Sequence, residues 1–112
     1  MRRLLAVVAR EARRAGAEVL FEPSGEATWM ILVQRLEAML TRLWELGALR
    51  GESARSSFSV RCDRTTMSQA DLDAGRLVAE VELEPAAIIE RIHVSLTLSE
   101  GGDASLRLRE AS

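Results

Sequence analysis

Between Arg76 and Glu84 the chain alternates apolar and polar side chains without a break, and this run limits the fold more than any other. Leu77, Ala79, Val81 and Leu83 fall on one side, and Val78, Glu80, Glu82 and Glu84 on the other. Only an extended strand with one covered face accommodates that pattern. A second alternation, from Ile88 to Leu98, sets Ile92, Val94, Leu96 and Leu98 against Arg91, His93, Ser95 and Thr97. A shorter one sets Phe58, Val60 and Cys62 against Ser59, Arg61 and Asp63. Pro85 separates the two long runs. The three alternating glutamates would repel one another on a bare sheet face. Arginines on neighbouring strands relieve this at roughly 0.2–1 kcal/mol per cross-strand pair, and Arg61, Arg91, Arg107 and Arg109 are the candidates.

Sheets with one apolar face need a second layer. The stretch from Ser24 to about Leu46 supplies it as a helix, with Ser24 as cap and Glu26 in the first turn, where negative charge suits the helix dipole. Trp29, Leu32, Val33, Leu36, Met39, Leu40, Leu43, Trp44 and Leu46 share one broad arc, opposite Gln34, Glu37, Thr41, Arg42 and Glu45. Met30 and Ile31 project from the polar side, either as ordinary exposed apolar residues or as a contact patch. Before this helix, Arg2–Ala15 reads as another, with Leu4, Leu5, Val7, Val8, Ala12 and Ala15 on one face and Arg3, Arg10, Arg13 and Arg14 opposite. Glu11 falls within the apolar arc, with Arg10 or Arg14 in reach for a salt bridge. Gly16 fits a terminator for that helix, and Ala17–Phe21 then reads as a strand ended by Pro23. Phe21, Trp29, Leu36, Leu40, Leu43, Trp44, Phe58, Val60 and Cys62 form the expected core.

A chain of 112 residues with 47% hydrophobic and 29% charged residues is one globular domain, able to bury roughly 60–70% of its unfolded surface. The single cysteine, Cys62, forms no internal disulfide, and it alternates with apolar strand residues as an inert buried thiol does. No signal peptide is visible, because Arg10 breaks the apolar run after Arg2 and Arg3, and a reducing cytoplasm is the expected setting. No apolar run approaches the roughly 18 residues that span a bilayer. A net charge of -2 argues against nucleic acid as a partner. The charge is unevenly spread: residues 2–14 hold five arginines and one glutamate, +4, which leaves -6 for the remainder. That basic segment is either a solvated face or a match for an acidic partner. All 15 basic residues are arginine, which reflects base composition or a use for bidentate carboxylate pairing at subunit contacts. No glycine-flanked nucleophile, phosphate-cradling loop or paired-histidine motif occurs, so neither enzyme activity nor a cofactor is expected. His93, the one histidine, stands on the polar side of its strand without clustered ligands, and no metal is expected.

Residues 57–75 join the short strand to a polar turn rich in Thr65, Thr66, Ser68, Asp71 and Asp73, closed by Gly75. The run CDRTTM at residues 62–67, followed by DLDAGRL at 71–77, resembles the signature near the end of contractile-tail sheath proteins of phage tails and related injection systems. Arg2-Arg3-Leu4, Phe21-Glu22-Pro23, Glu26, Trp29 and LTRLWELGALRG at residues 40–51 agree in order with the same family. The likeness covers residues 2 to about 83 and becomes a loose echo after Leu83.

The pattern of elements alone reads as a two-layer α/β domain with helices covering one mixed sheet, and the resemblance implies the same two-layer α+β fold with two main helices. It divides the chain into a sheath-type domain, residues 1–98, and a turn plus terminal strand or exchange arm, residues 99–112. It implies a structural subunit that packs around an inner tube and is linked to neighbours by strand pairing, in a cytoplasmic assembly or as part of a phage virion or phage-tail-like particle. Partners would be other copies or other sheath subunits, the tube protein, and baseplate or cap components. Arg3, Arg10, Arg13 and Arg14 are assigned to the tube or another acidic surface. Ile92, Val94, Leu96, Leu106, Arg107, Leu108 and Arg109 are assigned to neighbour pairing. Ser105–Glu110 folds back economically as a hairpin, since the two-glycine connection is short, and donation to another chain is the alternative. A complete sheath protein carries further segments before this domain, so three readings follow: a compact sheath-like component, an excised or decayed fragment, or a small non-polymerising adaptor or binding module reusing the fold.

Overall fold

The computed structural model describes residues 2–19, 25–99 and 104–110. Four strands form one sheet in the order β1 (Phe58–Arg61), β2 (Leu77–Leu83), β3 (Ile92–Leu98) and β4 (Ala104–Glu110), each antiparallel to the next. The sheet is therefore a meander rather than the mixed sheet expected. Its connections are too short, or hold too little helix, to carry the chain back across a face for parallel pairing. Two long helices, α1 (Arg2–Val19) and α2 (Glu26–Glu45), lie on one face, and two short ones, α3 (Ala54–Ser57) and α4 (Gln69–Asp73), flank β1.

The alternation of the strands is expressed directly. Every second residue of β2 and β3 is buried, from Leu77 to Leu83 and from Ile92 to Leu98, while the residues between are half-exposed. The helices seal that apolar face. From α2 come Trp29, Leu32, Leu36 and Leu40, all buried, with Val33, Met39, Leu43 and Trp44 packed against them. Val8, Ala12 and Val19 of α1 complete the layer. Phe58 and Cys62 are buried beside β2, and Val60 is half-buried against the same core. Phe21 lies outside the described residues. Leu46, placed on the apolar arc by helical phase, is instead 74% exposed, because it is the C-cap of α2 and the chain turns away there.

At the end of α1 the sequence reading fails for a clear cause. α1 does not stop at Gly16 and give way to a strand; it continues through Gly16 to Val19. Gly16 serves close approach rather than termination. A Cβ built on it would lie 2.3 Å from Cδ2 of Leu98, so only glycine lets the helix sit this low on β3. At the start of α2 the cap position belongs to Gly25, in extended backbone without a side-chain cap, and not to Ser24, which is outside the described residues. After α2 the chain forms α3, whose start is fixed by Ser53 and Ser56 bonding reciprocally.

α2 ends in a Schellman arrangement. The Gly47 amide donates to the Trp44 carbonyl at 3.0 Å and the Ala48 amide to Leu43 at 2.9 Å, which requires the positive φ of 83° that Gly47 supplies. The exit loop is then stitched to the end of β2. Arg50 donates its amide to Glu84 at 2.7 Å, Ala86 donates to Ala48 at 2.9 Å, and the Arg50 guanidinium bonds the Ile88 carbonyl at 2.7 Å.

Candidate subunit and partner interfaces

Three surfaces carry the residues singled out by sequence. The first is the outer face of α1. Arg3, Arg10, Arg13 and Arg14 are all exposed, and their spacing puts them within a little over a quarter-turn of the helix circumference. Arg10 approaches Glu11 at 3.8 Å; the other three make no ion pair among the described residues. Among the described residues the cationic character of this face is therefore left largely uncompensated.

The second is the pair of sheet borders. β3 is interior, bonded to β2 on one side and β4 on the other. Ile92, Val94 and Leu96 thus have their backbones engaged at home and their side chains buried under the helices, and β4, not β3, is the border strand on this side. That strand runs seven residues, with Leu106 and Leu108 in register with Leu96 and Val94, Arg107 with Ser95, and Arg109 with His93. Its far border has no strand against it among the described residues. Ser105 and Arg107 are exposed. β1 forms the opposite border and is only four residues long. Beside it lies a cleft of about 510 Å³ lined by Trp29, Met30, Val33 and Val60. Trp29 is buried there with its indole Nε1 unpartnered among the described residues and the Arg64 guanidinium 6.0 Å from its ring centroid.

The third is the helix-free sheet face, where the glutamate problem is solved. Arg91 bonds Glu82 at 2.9 Å and reaches Glu84 at 3.5 Å. Glu80 accepts from the Ser95 hydroxyl at 2.7 Å and meets His93 Nε2 at 2.6 Å, with Arg61 opposite it in register. Ser95 was not anticipated as a partner; its place two residues after His93, and so on the same face, was the available signal. Since Ser95 donates to Glu80 and not to His93, these three side chains are not a nucleophile with its base.

The CDRTTM run proves architectural. Asp63 accepts from the Thr65 amide at 2.8 Å and from the Thr65 hydroxyl, while the Thr66 hydroxyl donates to the Val78 carbonyl at 2.7 Å, tying the turn to β2. Ser68 and Asp71 then form a capping box on α4, and Arg76 closes onto Asp71 at 2.9 Å. These bonds hold both carboxyls below the ordinary carboxylate value, Asp63 chiefly through the Thr65 hydroxyl and Asp71 chiefly through the Ser68 amide. Cys62, just before the turn, has its thiol pushed up to about 12, first by burial and then by neighbouring Asp63.

Residues 1–99 match the phage tail sheath C-terminal domain family. The chain belongs to that family. Among solved structures, this sheath domain is similar to a chain of the anti-feeding prophage (AFP) baseplate, six-fold symmetrised, with 30% identity, a TM-score of 0.70, and coverage of 75% of this chain and 24% of that one. It is similar also to a chain of an extracellular contractile injection system, the PVC sheath complex in its contracted state, at 32% identity and a TM-score of 0.68, with the same coverage. The sheath domain thus spans about a quarter of the length of those chains. No curated protein sequence matches it. Within this family the two-layer α+β fold is shared with the solved sheath assemblies, and no described helix is long and apolar enough to cross a membrane.

Proposed function

We propose that this sheath domain is a structural unit of a phage-tail-like particle, surrounding an inner tube and joined to neighbouring subunits through the outer border of β4. The observation that carries the reading is that, in a chain of this family, the seven-residue border strand β4 has no strand along its outer side among the described residues. Backbone pairing along such a border holds two chains together without a large apolar interface. It also tolerates rigid-body rotation of one subunit against the next. The exposed arginines of α1 supply the contact to the tube, whose matching surface is acidic. Residues 99–112 act as the linking segment, and no catalysis is involved.

Co-sedimentation with assembled tubes tests the arginine assignment. Arg10→Glu with Arg13→Glu should weaken association several-fold at low salt and leave the fold intact, since both side chains are exposed and, among the described residues, Arg10 approaches only Glu11. Unchanged sedimentation would remove the α1 face from the tube contact. Electron microscopy of the same mixtures separates a polymeric subunit, which gives ordered rings or tubes, from an adaptor, which gives a soluble 1:1 complex.

A further inference from the structure

α1 and α2 run antiparallel, and the groove between them is open to solvent on the side away from the sheet. Glu18 and Arg35 bridge it at one end. At the other end it widens to about 360 Å³, floored by Val7, Met39, Leu43 and Leu46 and rimmed by Arg14 and Arg42. None of the four floor residues is fully buried, and Leu46 is 74% exposed. Neither rim arginine has an ion-pair partner among the described residues. The one acid on this stretch of lining, Glu11, is approached by Arg10 at 3.8 Å, while Glu45 stands at the outer margin beyond Arg42.

We propose that this groove receives an amphipathic helix whose apolar stripe is flanked by carboxylates. Two parallel ridges with an apolar floor offer the shape into which a third helix packs, and the rim charges choose its sign. A second copy docking through the same groove is disfavoured, because a two-fold contact would crowd the Arg14 and Arg42 of both copies around one interface. The proposal rests on the reading that the basic side of α1 meets a partner, and it specifies what that partner presents.

The test uses a synthetic peptide, an 18-residue helix with a leucine stripe flanked by glutamates, and its counterpart with lysines in place of the glutamates. Each is titrated into methyl-labelled protein and followed by NMR. The glutamate peptide should shift the methyl signals of Val7, Met39, Leu43 and Leu46 saturably, the lysine peptide at least about tenfold more weakly. Arg14→Glu with Arg42→Glu should lower the apparent affinity for the glutamate peptide by roughly fivefold or more. Leu46→Glu, at an exposed position, should abolish the shifts without unfolding the domain. Equal binding of the two peptides, shifts confined to other surfaces, or no shifts at millimolar peptide would each overturn the proposal. None of these results depends on tube co-sedimentation, so the basic-face reading survives or fails separately.

Discussion

Replacing Gly16 with alanine separates two opposing effects that the structure allows to be weighed. An interior helical glycine exchanged for alanine ordinarily gains about 0.8–1 kcal/mol. Here the new methyl would meet Leu98 at 2.3 Å and 2.8 Å from its two Cδ atoms, and Leu98 has no accessible surface into which to retreat. Overpacking of that kind costs about 1–3 kcal/mol. The sum is a net loss of about 1 kcal/mol, with the sign reversed from the usual substitution. Leu98→Ala alone should cost about 2–5 kcal/mol. Once that side chain is gone the clash goes too, so Gly16→Ala introduced into Leu98→Ala should stabilise by about 1 kcal/mol. The double-mutant cycle therefore carries a coupling of about 2 kcal/mol. Urea denaturation at pH 7 measures all four proteins, and a constant m-value confirms that the midpoints report stability. If Gly16→Ala stabilised the parent protein and the cycle showed no coupling, α1 would not be seated on Leu98 and the helix layer would be wrongly placed.

Other consequences follow from the turn after β1 and from the strand before it. Ser68→Ala should cost about 1 kcal/mol through loss of the α4 cap, read from the same urea midpoints. Asp63 and Asp71 titrate below the ordinary value of 3.8 in the folded protein, so their contribution is present above that value and lost as pH falls through the lower, folded one. Stability should accordingly drop below about pH 4, and Asp71→Asn should flatten that acid limb in melts recorded from pH 7 to pH 2. Cys62, with a thiol near 12 and only 8% exposed, should resist alkylation in native buffer at pH 8 and react once urea unfolds the chain. Native labelling at the rate of a free thiol would contradict its burial.

Much of this was legible because the relevant signals are local and periodic. The alternation of Leu77–Leu83 and Ile92–Leu98 gave both strands and the covered face, and the arc from Trp29 to Trp44 gave the helix that covers it. Arg91 as the counter-charge to the glutamates could be read from opposite charges alone, although it lies just outside the strand it serves. What escaped was tertiary. Gly16 carries the local meaning of a stop, and its actual use, clearance for Leu98, depends on a residue 82 positions away in the chain. Helical phase alone placed Leu46 on the apolar arc, yet phase says nothing about where the chain departs. Conversely, the α4 helix is too short for periodicity to show it, but the Ser68–Asp71 spacing of a capping box was present in the sequence. At the candidate interfaces, the arginines of α1 stood out by charge clustering, whereas the interior position of β3 emerged only with the strand order. A groove between two helices has no signature in sequence at all.

The central claim is that this β-layer is completed by other polypeptides, and a cryo-electron-microscopy reconstruction of the particle containing the domain tests it most directly. The account predicts continuous main-chain density from a neighbouring subunit hydrogen-bonded along the outer border of β4, with the arginines of α1 turned toward the tube. A reconstruction in which that border faces solvent in every subunit, or in which the purified domain never enters a particle and remains a monomer, would contradict it.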